Sequence, residues 1–169
     1  LARKTDYFDA LASGWTEAAV LHRDAAWAEA LLECQPDIPE ETFTKLARLL
    51  PPERAETVIF DRFGAGQGLE ALQRINAASL LCLDGPWSPA HSRIALGMIA
   101  KAAAAPGEHD WYRGNDIRTA VRFMDVPLYA EALRELRRVE VAAPPLKNAI
   151  DDFLEIFSLR HDMHKELAP

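Results

Sequence analysis

Thr57-Val58-Ile59-Phe60-Asp61-Arg62-Phe63-Gly64-Ala65-Gly66-Gln67-Gly68 is the stretch on which the fold of this 169-residue chain turns. Taken as a strand running into a glycine loop and then a helix, it opens a dinucleotide-binding unit and implies an α/β sheet. Ser79-Leu80-Leu81-Cys82-Leu83 then offers a second strand, ending in Asp84, 20 residues after Gly64. In that fingerprint the glycines make the tight turn, admit the pyrophosphate and let the helix pack closely. Here the spacing is G-x-G-x-G, and Leu69 stands where the third glycine belongs. The rest of the chain supplies no strands to complete a sheet. The better reading is a helix that ends near Gly64 and a flexible connection to the next helix. A nucleotide-binding protein or enzyme using the Gly64–Gly68 loop stays as the competing reading, and it requires a strand at 57–63.

Working outward, the composition favours helices. Alanine (29) and leucine (21) dominate, while valine contributes only 6 residues. Ala and Leu lose least on entering a helix, whereas β-branched residues favour strands. Ten of the 11 prolines fall between, or at the starts of, segments with helical period, and Pro169 follows the last of them. The expected helices span 6–13, 15–34 (broken near His22-Arg23-Asp24), 40–50, 53–63 and 69–81. They continue at 89–104, 117–124, 128–138 and 146–167. Pro39-Glu40-Glu41 places proline and acids in a first turn, and Ser88-Pro89 reads as an N-cap followed by proline at N1. Asn115 or Asp116 is the expected cap of 117–124. In the last segment Leu146, Ile150, Phe153 and Phe157 recur at helical spacing, with Asp151, Asp152 and Glu155 off the stripe.

Self-similarity points to a repeat. Trp15-Thr16-Glu17-Ala18 resembles Trp87-Ser88-Pro89-Ala90 at an offset of 72. Leu46 to Pro51 resembles Val121 to Pro127 near 76, and Leu69-Glu70-Ala71-Leu72 resembles Leu146-Lys147-Asn148-Ala149 at 77. The expectation is one all-α domain over 1–169 with about eight helices, built from two repeats at 6–84 and 86–167. Short connections between successive helices make them antiparallel neighbours. The architecture is then a short α-solenoid of stacked helical hairpins, like HEAT or armadillo repeats. The chain begins with Leu1 rather than Met, which suggests a piece of a longer protein.

Charge and chemistry exclude more than they assign. The net charge of −7 and pI near 5.2 argue against wholesale nucleic-acid binding. Ile94 to Ala105 is too short and too alanine-rich to cross a bilayer, and no signal peptide is visible. Cys34 and Cys82 read as free, buried thiols of a reducing cytoplasm. His161 and His164 stand at i, i+3 near Asp162 and Glu166, yet no third ligand with matching spacing presents itself, and histidines suit a helix C-terminus. His22, His91 and His109 are isolated, and no nucleophile–base set assembles, so no catalytic, metal or cofactor residue is assigned. Trp15, Trp27, Trp87 and Trp111 are the expected core anchors, one per helical segment.

The basic residues stand out more. Residues 93–147 carry 9 basic against 7 acidic groups. Arg118 and Arg122 share a helix face, as do Arg134 and Arg137 or Arg138. Interleaved Glu131 and Glu135 account for part of this set by pairing within the helix. The rest makes Arg118, Arg122, Arg134, Arg137 and Arg138 a candidate docking patch for an acidic protein partner.

Several short motifs resemble an uncharacterised bacterial family of HEAT-like helical proteins. They are Trp15-Thr16-Glu17-Ala18, His22-Arg23-Asp24, Trp27-Ala28, Leu49-Leu50-Pro51-Pro52-Glu53-Arg54, Trp87-Ser88 and the Phe153–Leu167 segment. The resemblance implies a helical-repeat fold and a cytoplasmic bacterial protein. Members tend to be encoded beside MoxR-type AAA+ ATPases and von Willebrand A proteins, which implies a scaffold or partner role in such an assembly. The family assigns no catalytic residues or cofactor, so none carry over.

Overall fold

The computed structural model describes residues 13–35, 37–66, 68–104, 110–125 and 128, with Arg134, Lys147, Asn148, Asp151 and Glu155. Among them are seven helices and no strand: α1 (13–22), α2 (Ala25–Cys34), α3 (Glu40–Ala47), α4 (Pro52–Phe63), α5 (Leu69–Cys82), α6 (Pro89–Ala104) and α7 (Asp110–Arg122). Of the segment expected at 6–13 only residue 13 is described, within α1, and the segments expected at 128–138 and 146–167 lie outside the described residues apart from those isolated positions.

The deciding stretch is helical. In α4, Ala55, Ile59, Phe60 and Phe63 are buried, a spacing of 4, 1 and 3 that draws one helical stripe. A strand would send neighbouring Ile59 and Phe60 to opposite faces. Both strands of the dinucleotide reading are therefore absent: 57–63 belongs to α4, and 79–82 closes α5. Pro52 at the start of α4, Glu53 in its first turn and the helical spacing of its buried residues outweigh the β-branched run Thr57-Val58-Ile59.

The chain divides into two compact units, and the division falls inside α4 and α5. Unit one holds residues 1–59 and 78–84. There α2 packs on α3, with Ala28 and Leu31 buried on the first and Phe43, Leu46 and Ala47 on the second. Arg23 takes a left-handed φ of 50°, a conformation costly for a side chain with a Cβ, and this turn separates α1 from α2. The next residue, Asp24, caps α2 by accepting the Trp27 N–H at 3.0 Å. Asp24→Ala should lower stability by about 1 kcal/mol in urea denaturation. A loss within the error of the measurement would mean that the cap contributes nothing.

Unit two holds residues 60–77 and 85–169. Here α6 packs on α7. Ser92, Ala95, Leu96, Ile99, Ala102 and Ala103 are buried along α6, and Ile117, Ala120 and Val121 along α7. The expected N-cap of α6 is present, with the Ser88 hydroxyl accepting the His91 N–H at 3.4 Å.

Three expectations need correction. Helix α7 starts at Asp110, so Asn115 and Asp116 lie within it rather than capping it. Trp15 and Trp27 are 46% and 40% exposed, so of the described tryptophan side chains only Trp87, at 1%, anchors the core. Cys34 is exposed, at the very end of α2 where the buried stripe has already stopped at Leu31; Cys82 is half-buried.

Candidate functional site

Helix α7 is held to α5 by its middle turn. The Asp116 carboxylate accepts the Gln73 amide at 2.7 Å, and the Asp116 carbonyl accepts the Asn76 amide at 2.8 Å. Asn76 is 3% exposed, so this bond satisfies one end of a buried amide. Burial raises the Asp116 carboxyl above the usual carboxylate range, partly offset by the Gln73 bond. This tertiary use of Asp116 explains why it does not cap a helix.

With that side fixed, α7 turns Arg118 and Arg122 outward, four residues apart and both exposed. Arg134 is also exposed and helical, while Arg137 and Arg138 lie outside the described residues. Arg113, one turn ahead on α7, is instead buried at 7%. Charge patterning alone could not separate Arg113 from the exposed pair, because burial is decided by what packs over it.

The end of α7 is tied to the start of α6 through an aromatic and hydroxyl cluster. Trp87 meets Phe60 edge-on at 5.3 Å and stacks on Phe123 at 5.4 Å, while its backbone N–H donates to the Phe123 carbonyl. Ser92, fully buried, donates to the Trp87 carbonyl and accepts the Asp125 N–H at 3.0 Å. His91 lies flat on the Phe60 ring, 4.2 Å between centroids, with Nδ1 3.2 Å from the Ser88 hydroxyl. His91 is therefore a packing group rather than an isolated polar residue, a role its sequence neighbours do not reveal.

Unit one carries two charged features. Arg54 of α4 bonds Glu29 and, at 3.2 Å, Glu33, two acids four apart on α2. A groove of about 330 Å³ is lined by Glu40, Glu41, Thr44, Lys45 and Arg48 along α3 and by Leu81 at the end of α5. Below it the Cys82 thiol donates to the Thr44 carbonyl at 3.7 Å, and burial pushes that thiol up to about 11 against the opposing pull of Arg48. No sequence signal joins Leu81 to residues 40–48.

The glycine loop closes a smaller cavity of about 180 Å³ lined by Arg62, Phe63, Gly66, Glu70, Ala71 and Arg74. Arg74 is paired with Glu70 at 2.7 Å, and the Arg62 guanidinium lies 5.6 Å from the Phe63 ring centre. Both arginines thus have protein partners. Among the described residues no three His, Cys, Asp or Glu side chains converge to hold a metal; His161 and His164 lie outside them. No described helix is long and apolar enough to cross a membrane.

Fold and surface together define an all-helical protein with an exposed arginine pair on a braced helix. The chain belongs to the family of unknown function DUF5691, which matches residues 1–167. No curated protein and no solved structure matches it.

Proposed function

We propose that the chain is a non-enzymatic protein-interaction module whose α7 arginines dock an acidic segment of a partner protein. The observation that carries this reading is the pairing of rigidity with exposure. Arg118 and Arg122 project one turn apart from a helix whose other side is bonded to α5 and buried along Ile117, Ala120 and Val121. Such a helix is ordered before association and presents two exposed cations, which favours a carboxylate-rich segment. In this reading the helices form a short HEAT-like solenoid in a bacterial cytoplasmic assembly, with an AAA+ ATPase or its neighbour as partner. The motif resemblance and the succession of short-linked helices support that assignment.

The test is a pull-down with the chain as bait, with and without ATP and EDTA, followed by titration of the recovered protein. Binding should survive both treatments. Arg118→Glu with Arg122→Glu should weaken it at least tenfold at low salt, with the difference narrowing as salt screens the charges. Equal affinity of wild type and variant would remove these arginines from the interface. Binding that required nucleotide or a divalent ion would point away from a passive module.

A further inference from the structure

The α3 wall of the groove in unit one is polar in an ordered way. Glu40 and Glu41 stand at its N-terminal end, Thr44 in the middle, and Lys45 and Arg48 at its C-terminal end. These positions follow one face of the helix, since residues four and eight apart lie one above another. Glu40, Glu41, Lys45 and Arg48 are exposed, and Leu81 adds an apolar side chain that is 56% exposed. Glu40 and Arg48 are about 12 Å apart along the axis at 1.5 Å per residue.

A face that is acidic at one end and basic at the other is complementary to itself turned through 180°. We propose that the α3 face docks on the same face of a second copy of this chain, antiparallel about a two-fold axis near Thr44. Glu40 of each copy then meets Arg48 of the other, Glu41 meets Lys45, and the two Leu81 side chains supply the apolar contact. This is the isologous arrangement of a two-fold dimer, in which each contact occurs twice. A parallel arrangement would set acid against acid and is disfavoured. The intrahelical Glu41–Lys45 bond, 2.7 Å long, holds two of these groups in place before association. With one groove and one leucine per copy the interface is small, so the dimer should be transient, with a Kd on the order of 100 µM. Self-association through α3 does not depend on the α7 docking reading.

Sedimentation velocity of the full chain, from about 10 to 500 µM at low salt, tests it. The wild type should shift from monomer towards dimer, less so as salt rises. Glu40→Lys alone or Arg48→Glu alone places like charges opposite each other twice and should weaken association about tenfold or more. An equimolar mixture of those two variants should associate again as a heterodimer, because both cross-pairs become attractive. The double variant E40K/R48E should likewise recover self-association. Recovery in the mixture or the double variant cannot come from a folding defect, and circular dichroism of each single variant checks folding directly. A wild type that stays monomeric throughout, or a dimer indifferent to both single reversals, overturns the proposal.

Discussion

Trp87→Ala should destabilise the protein by about 3–5 kcal/mol, the range for removing a buried aromatic side chain. Trp87 is 1% exposed and its ring contacts both Phe60 and Phe123, so truncation leaves a cavity lined by aromatic faces. The hydrogen bonds around it depend on the same packing: the Trp87 backbone N–H to the Phe123 carbonyl, the Ser92 hydroxyl to the Trp87 carbonyl, and the Asp125 N–H to the Ser92 hydroxyl. Trp27→Ala is the comparison: at 40% exposure it should cost far less, within about 1 kcal/mol. Urea denaturation followed by circular dichroism gives both values. Equal losses would mean that the cluster at the head of α6 is not a centre of stability.

The second large effect is expected at Gly64. A Cβ there would come 2.4 Å from the Phe60 carbonyl oxygen, and that atom is backbone rather than the end of a flexible chain. Gly64 already donates its N–H to the same carbonyl at 2.7 Å, as the last turn of α4 closes. Gly64→Ala must therefore open that turn, at about 1–3 kcal/mol. Gly85→Ala meets nothing within 4 Å and should be neutral or slightly stabilising through its restricted unfolded chain. A harmless Gly64→Ala would show that the turn has room to relax. The glycine that looked like part of a phosphate loop thus has a steric reason to be small.

What could be read from the sequence divides along a physical line. Helix α6 follows the expected 89–104 from end to end, because its N-terminus is written in a local cap, Ser88, and a proline at N1. Helix α4 also follows its expected limits to within one residue, since Pro51-Pro52 and Gly64 act locally. Helix α7 begins seven residues before the expected 117, because Asp116 looks like a cap but spends its carboxylate on Gln73, 43 residues away. The same limit applies to the sites. Helical spacing sufficed to put Arg118 and Arg122 on one face. The burial of Arg113, the exposure of Trp15 and Trp27, and the meeting of Leu81 with α3 all depend on partners distant in sequence.

The division of the chain inside α4 and α5 bears on how the protein is made. Unit one is assembled from residues 1–59 and 78–84, so the chain must leave it, traverse residues 60–77 of unit two, and come back. A nascent chain emerging from the ribosome cannot complete unit one until Asp84 has cleared the exit tunnel. Until then unit one lacks Ala78, Ser79 and Leu83, side chains that are nearly or fully buried in the finished protein. By that time the α4–α5 turn is also out, so the first unit is committed only after part of the second has been synthesised. Synthesis halted at residue 59 leaves an incomplete apolar surface, the kind of intermediate that chaperones hold.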